Sequence, residues 1–164
     1  MKIHSLIFYL LLTINCFSQN TIPEVLKKFN KESVPYITVS QLKTQNNSII
    51  LDTREPKEFN TSHIANSQNV GYEKFNSKKI KATFKNQNQT IIVYCSVGIR
   101  SEIIGEKLLK MGYKNVFNLY GGIFEWKNQG EVVVDKNQKK TDNIHTFSSE
   151  WSKYLLKGTK IFEK

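Results

Sequence analysis

One stretch, Ile91-Ile92-Val93-Tyr94-Cys95-Ser96-Val97-Gly98-Ile99-Arg100-Ser101, constrains this chain more than any other. Its first half is a run of β-branched and aromatic residues, which reads as a buried strand. The run ends at Cys95, and Ser101 opens a pattern with Ile103, Ile104, Lys107, Leu108 and Met111 at helix spacing. A loop this short cannot hide its own amides, so its N–H groups should point at the group standing at its start, the Cys95 sulfur. The helix beyond adds roughly half a positive charge aimed the same way. Such surroundings favour an ionised, nucleophilic sulfur. The plainer reading is a small apolar residue closing a strand. A glycine inside the loop and an arginine ahead of the helix argue against it.

The chain has 164 residues, enough for one domain with a substantial core. Its formal charge of +10 comes almost wholly from lysine; the only arginines are Arg54 and Arg100. A chain that uses lysine elsewhere places arginine where a planar, multi-donor fork is needed. The lysines are scattered and no aromatic-interleaved basic stripe exists, so nucleic acid is not an expected partner. A positive field does steer small anions toward the protein.

Residues 1–18 read as a secretory signal peptide. Lys2 and His4 precede the apolar run from Leu6 to Leu12, which is too short to span a bilayer. Cys16 and Ser18 then supply the small residues before a cut ahead of Gln19. The rival is a lipoprotein signal with Cys16 lipidated, against which Asn15 is a poor preceding residue. Either places the protein in the periplasm or cell envelope, with no stable membrane span in the mature chain. If Cys16 leaves with the signal, Cys95 remains as a lone thiol that cannot form an intrachain disulfide. Metal and cofactor are not expected, since there is no cysteine pair and His63 and His145 lack ligand spacing.

Further along, residues 19–33 form a lead-in whose helix begins at Thr21 as N-cap with Glu24 as its partner. Strands are expected at residues 34–39, 48–51, 68–70, 91–94 and 115–119. Helices are expected at 41–44 behind a Ser40 cap, at 57–61, 73–84 and 101–111, and at 123–126 after Gly121-Gly122. This alternation predicts an α/β domain with a mainly parallel central sheet flanked by helices. In such sheets ligands sit beyond the carboxyl ends of the strands, where Cys95 and Asp52 both stand. The tail, residues 135–164, reads as a polar linker and a short C-terminal amphipathic helix over 147–156. Its apolar face, Trp151, Tyr154 and Leu155, needs either the main domain or a second copy as partner.

Three separated motifs carry a family resemblance. Leu51-Asp52-Thr53-Arg54-Glu55 with Glu58-Phe59 and Ser62-His63-Ile64, then Tyr94 to Ser101, then Gly121-Gly122-Ile123 with Trp126, together resemble a single-domain rhodanese over residues 34–134. The resemblance implies a sulfurtransferase that moves a sulfane sulfur from an anionic donor such as thiosulfate onto Cys95, and from that persulfide to a thiol or cyanide acceptor. It implies a substrate cradle formed by Ser96, Val97, Gly98, Ile99, Arg100 and Ser101, with Asp52, Arg54, Glu58 and His63 as structural support. The chain departs from the family pattern at Ser62-His63-Ile64-Ala65-Asn66-Ser67, where a rearranged loop is expected, and in having Arg100 as the cradle's lone basic residue. Cysteine phosphatases and arsenate reductases are an alternative, but their loop between cysteine and arginine is one residue longer than Ser96 to Ile99. A non-catalytic rhodanese-like binding module is the other.

Overall fold

A computed structural model describes residues 21–162; the signal-peptide reading and Cys16 lie outside them. The order is α1 (Ile22–Phe29), β1 (Tyr36–Ile37), α2 (Val39–Lys43), β2 (Ile49–Asp52), α3 (Pro56–Thr61), β3 (Gln68–Asn69), α4 (Ser77–Thr83), β4 (Thr90–Tyr94) and α5 (Ile99–Lys110). There follow β5 (Asn115–Leu119), α6 (Gly122–Asn128), β6 (Val133–Val134), β7 (Lys140–Thr141), β8 (Asn143–His145), α7 (Ser149–Ser152) and β9 (Thr159–Ile161).

Five strands form one sheet in the order β1-β5-β4-β2-β3, and every pairing in it is parallel. The mainly parallel α/β architecture expected from the sequence is the one observed. β4 is central and its side chains alternate between two cores. Ile91 and Val93 meet Ile80, Ile104 and Leu108 on the α4–α5 side. Ile92 and Tyr94 meet Leu26, Leu42, Ile123 and Phe124 on the other. All four residues are fully buried, which is why the run lacks polar alternation. Burying each of the aliphatic three contributes about 1.5–3 kcal/mol.

Several element starts differ from the expected ones, each for a local reason. The small α2 is capped by Thr38, whose side chain and Gln41 bond reciprocally, so Ser40 lies inside the helix. α4 begins at Ser77 behind Asn76, whose Oδ1 accepts the Lys79 N–H. α5 begins at Ile99, not Ser101, because Gly98 turns the chain with φ +114°. The Thr21–Glu24 capping box of α1 forms as read.

The tail differs most. No helix spans 147–156; α7 is four residues long, and β8 and β9 pair in parallel on either side of it. The stretch expected as a linker is partly a hairpin, β6 with β7, closed by the Asp135 carboxylate accepting the Asn137 and Lys139 N–H groups. A short isolated helix is marginal. Burial of Ile144, Tyr154 and Leu155 in the main core decides the conformation instead. Of the two partners considered for the tail, it takes the main domain, and β8 lies on α3. Among the described residues no helix is long and apolar enough to cross a membrane.

Candidate active site

Cys95 follows the last residue of β4, at the carboxyl edge where the chain must leave the sheet. With α5 starting at Ile99, the connecting loop is only residues 95–98. Two sets of amides shape it. The first-turn N–H groups of α6 take the loop's carbonyls, Ile123 N–H donating to Cys95 O at 2.9 Å and Phe124 N–H to Ser96 O at 3.1 Å. With its carbonyls held on that side, the loop turns its own N–H groups the other way, and Gly98 N–H donates to Cys95 Sγ at 3.1 Å. Gly122 makes this approach possible. At φ +56°, a Cβ there would lie 2.3 Å from Cys95 O and 2.7 Å from Ser96 O.

The Gly98 carbonyl is fixed in turn by Asn118 Nδ2 at 2.8 Å and Asn30 Nδ2 at 3.0 Å. Ser101 Oγ stands 3.6 Å from Cys95 Sγ and 2.7 Å from Asn118 Oδ1. It has one proton, and the shorter bond takes it. Ser101 therefore positions the loop through Asn118 and does not line the pocket. Gly98 is the sulfur's backbone donor among the described residues.

Arg100 sits in the first turn of α5, but its fork is engaged. Nη1 and Nη2 each reach a Glu58 carboxylate oxygen at 2.7 Å, and Nη2 also approaches Ser96 Oγ at 3.2 Å. Burial opposes the charge on Arg100. The Glu58 hydrogen bonds, with electrostatic contributions from Cys95 and Glu58, outweigh that and hold the guanidinium further above its ordinary range. Glu58 shows the converse: burial pushes its carboxyl up, and the Arg100 bonds with the Arg100 and Arg54 charges bring it below the usual carboxylate value. Glu58 also accepts the Glu55 N–H at 3.0 Å, closing the N-terminus of α3. Expected as structural support, it holds Arg100, which lines the pocket.

Asp52, Arg54 and His63 lie away from the pocket. Asp52 and Arg54 form a fully buried ion pair with Nη2 to Oδ2 at 2.6 Å, and Arg54 also donates to Ser62 O at 2.6 Å. That bond anchors the loop in which the chain departs from the family pattern. His63 stacks on Phe59, donates from Nδ1 to Phe59 O at 3.0 Å and accepts Gln138 Nε2 at 3.1 Å.

Cys95 is 1% exposed yet lines a pocket of about 150 Å³. The other walls are Ser96, Val97, Ile99, Arg100 and, from the tail, Phe147 and Trp151. The sequence assigns Trp151 no chemistry and does not single out Phe147; the tail's apolar face of Trp151, Tyr154 and Leu155 is the signal that it docks somewhere. Asn118 and Asn30, isolated polar residues in or beside regular elements, gave none.

The sequence profile of the rhodanese-like domain matches residues 37–129. The chain belongs to the rhodanese-like domain family. Within that family it is 27% identical over 96 residues to the thiosulfate sulfurtransferase GlpE of Coxiella burnetii, covering 58% of this chain and 87% of that one. Its structure resembles the crystal structure of a rhodanese-related protein from Thermoplasma volcanium, with TM-score 0.51 and 29% identity over 61% of this chain and 97% of the other. It shares the fold of a thiosulfate sulfurtransferase from Pseudomonas aeruginosa, with TM-score 0.57 and 20% identity over 74% of this chain and 23% of that one. The three motifs that carry the resemblance all fall within the matched region; the second lines the pocket, while the first reaches it through the Glu58–Arg100 pair and the third through the α6 amides that hold the loop's carbonyls.

Proposed function

We propose that this protein is a sulfurtransferase whose Cys95 accepts a sulfane sulfur from an anionic donor and passes it, as a persulfide, to a thiol or to cyanide. The observation that carries this is the position of the Cys95 sulfur, held by Gly98 N–H at the N-terminus of a 12-residue helix and facing a pocket. With thiosulfate as donor, the ionised sulfur attacks the outer sulfur atom. The bond between the two donor sulfurs breaks, and sulfite leaves with the electron pair. The negative terminal sulfur of the persulfide then sits before the same backbone donor and helix terminus. An acceptor thiolate or cyanide takes that atom and returns the cysteine to its starting state, a ping-pong cycle. No separate base is needed once the sulfur is ionised. The proposed site of action is the cell envelope, on the strength of the signal-like residues 1–18.

The near-complete burial of Cys95 favours a second reading, a rhodanese-like module that binds a partner and turns nothing over. Thiocyanate production from cyanide with thiosulfate, mercaptopyruvate or polysulfide as donor separates the two. Turnover by the wild type and its loss in Cys95→Ser is expected of the enzyme. No turnover with any donor, or equal turnover in the variant, contradicts it.

A further inference from the structure

The pocket before Cys95 is poorly matched to a small inorganic dianion. Its one guanidinium already faces a carboxylate, with both Glu58 oxygens 2.7 Å from Arg100 nitrogens, so the pair brings little net charge. A dianion beside Arg100 would also stand next to the Glu58 charge. Apart from Cys95 and Ser96, the remaining walls are apolar: Val97, Ile99, Phe147 and Trp151. A cavity of about 150 Å³ with apolar walls is of the size that takes up a benzene ring.

Phe147 is held in this wall against its own preferences. It is 57% exposed, although Tyr154 and Leu155 of the same tail are buried. Its φ of +66° is one that a bulky side chain rarely adopts. It sits at the centre of a three-residue turn, with Ser148 N–H donating to Thr146 O at 2.8 Å, the strained hand of the γ-turn. His145 Nδ1 accepts the Phe147 N–H at 3.1 Å and keeps the turn in place. The result is a ring lying 5.4 Å from the Arg100 guanidinium, at the pocket wall. Strain retained at a functional pocket points to a use there.

We propose that the sulfur donor of this protein carries an apolar group of about ring size, and that Phe147 and Trp151 bind it and set donor specificity. This rests on the sulfurtransferase reading above. The donor class is a monoanionic organic thiosulfonate or persulfide. With a thiosulfonate, the Cys95 thiolate attacks the terminal sulfur. The bond from that sulfur to the sulfonyl sulfur breaks, and the sulfinate leaves with the electron pair. One anion enters and one leaves, with no proton or outside oxidant required.

Benzenethiosulfonate and methanethiosulfonate share their reacting atoms and differ in the apolar group, so they isolate the effect. With cyanide as acceptor, wild-type kcat/KM should favour the benzene compound by about tenfold or more, the amount expected for burying a ring. That ratio should fall toward one in Phe147→Ala and Trp151→Ala and largely persist in Phe147→Leu. Because it is a ratio, an altered fraction of folded protein does not change it. If an alanine variant does not fold, the wild-type ratio and the ratio in Phe147→Leu and Trp151→Leu decide. Equal use of the two donors by the wild type, or an undiminished ratio after both aromatic residues are replaced, overturns the proposal. Failure of every donor to load Cys95 would instead overturn the sulfurtransferase reading itself.

Discussion

At the scale of single residues, the site depends on a charge pair that joins two helices. Glu58 of α3 is 3% exposed and Arg100 of α5 20%, so removing one leaves the other charged and poorly hydrated. Arg100→Ala is expected to lower unfolding free energy by about 3 kcal/mol, measured by urea denaturation. Arg100→Lys keeps the charge but loses the two-armed contact, and weaker donor use should follow. Because Glu58 is held below the ordinary carboxylate range, its stabilising contribution is full above that range and fades as pH falls through its lowered value. His145 acts in a milder acid window. Burial, opposed by Glu58 but aided by Arg54, Lys57 and Arg100, holds its imidazole below its usual value. The unfolded chain then binds more protons than the folded one, so stability should decline as pH falls below about 6.5. Protonation would also place a hydrogen on the Nδ1 that accepts Phe147 N–H. Melting temperature against pH, compared in wild type and His145→Gln, reads this: the slope near pH 6 should be shallower in the variant.

At the scale of elements, two helix N-termini divide the work. α5 faces the sulfur, and α6 holds the carbonyls of the loop that carries it. Gly122→Ala would place a carbon 2.3 Å from Cys95 O at a positive φ. Strain of about 1–3 kcal/mol from the backbone alone, plus a displaced loop, should reduce kcat/KM at least tenfold. Measured activity close to wild type would show that α6 does not set the loop. The strand of residues 91–94, the cysteine at its end and the Gly121-Gly122 turn were legible because hydrophobic runs and glycines act over a few neighbouring residues. The start of α5 was not. Ser101 heads the apolar periodicity, but the helix starts two residues earlier, where Gly98 turns the chain, and the Ser101 hydroxyl bonds Asn118, a residue of β5 that no local pattern brings near it. Thr38 displaced Ser40 as a cap for a related reason: both residues are suitable, and the reciprocal bond to Gln41 chooses between them.

At the scale of the whole molecule, the tail reaches the sheet edge that carries Cys95. The sequence marked Trp151, Tyr154 and Leu155 as a face in need of a partner. It could not show that Phe147 and Trp151 would stand over Cys95, because that placement comes from β8 lying on α3, far apart in sequence. The paired Glu58 and Arg100 were likewise legible only as separate motif positions. The formal charge of +10 acts at this scale too. Anionic donors should be captured more slowly as added salt shortens the screening length to about 3 Å at 1 M. The second-order rate of loading should therefore fall between low and high ionic strength. Sulfur transfer by this protein requires the Cys95 sulfur to be a reactive acceptor of a single sulfur atom. Peptide-mapping mass spectrometry of the intact protein after exposure to a sulfane-sulfur donor tests this most directly. One added sulfur on Cys95, removable by cyanide, is the expected result; an unmodified Cys95 after exposure to inorganic and aromatic donors alike would contradict it.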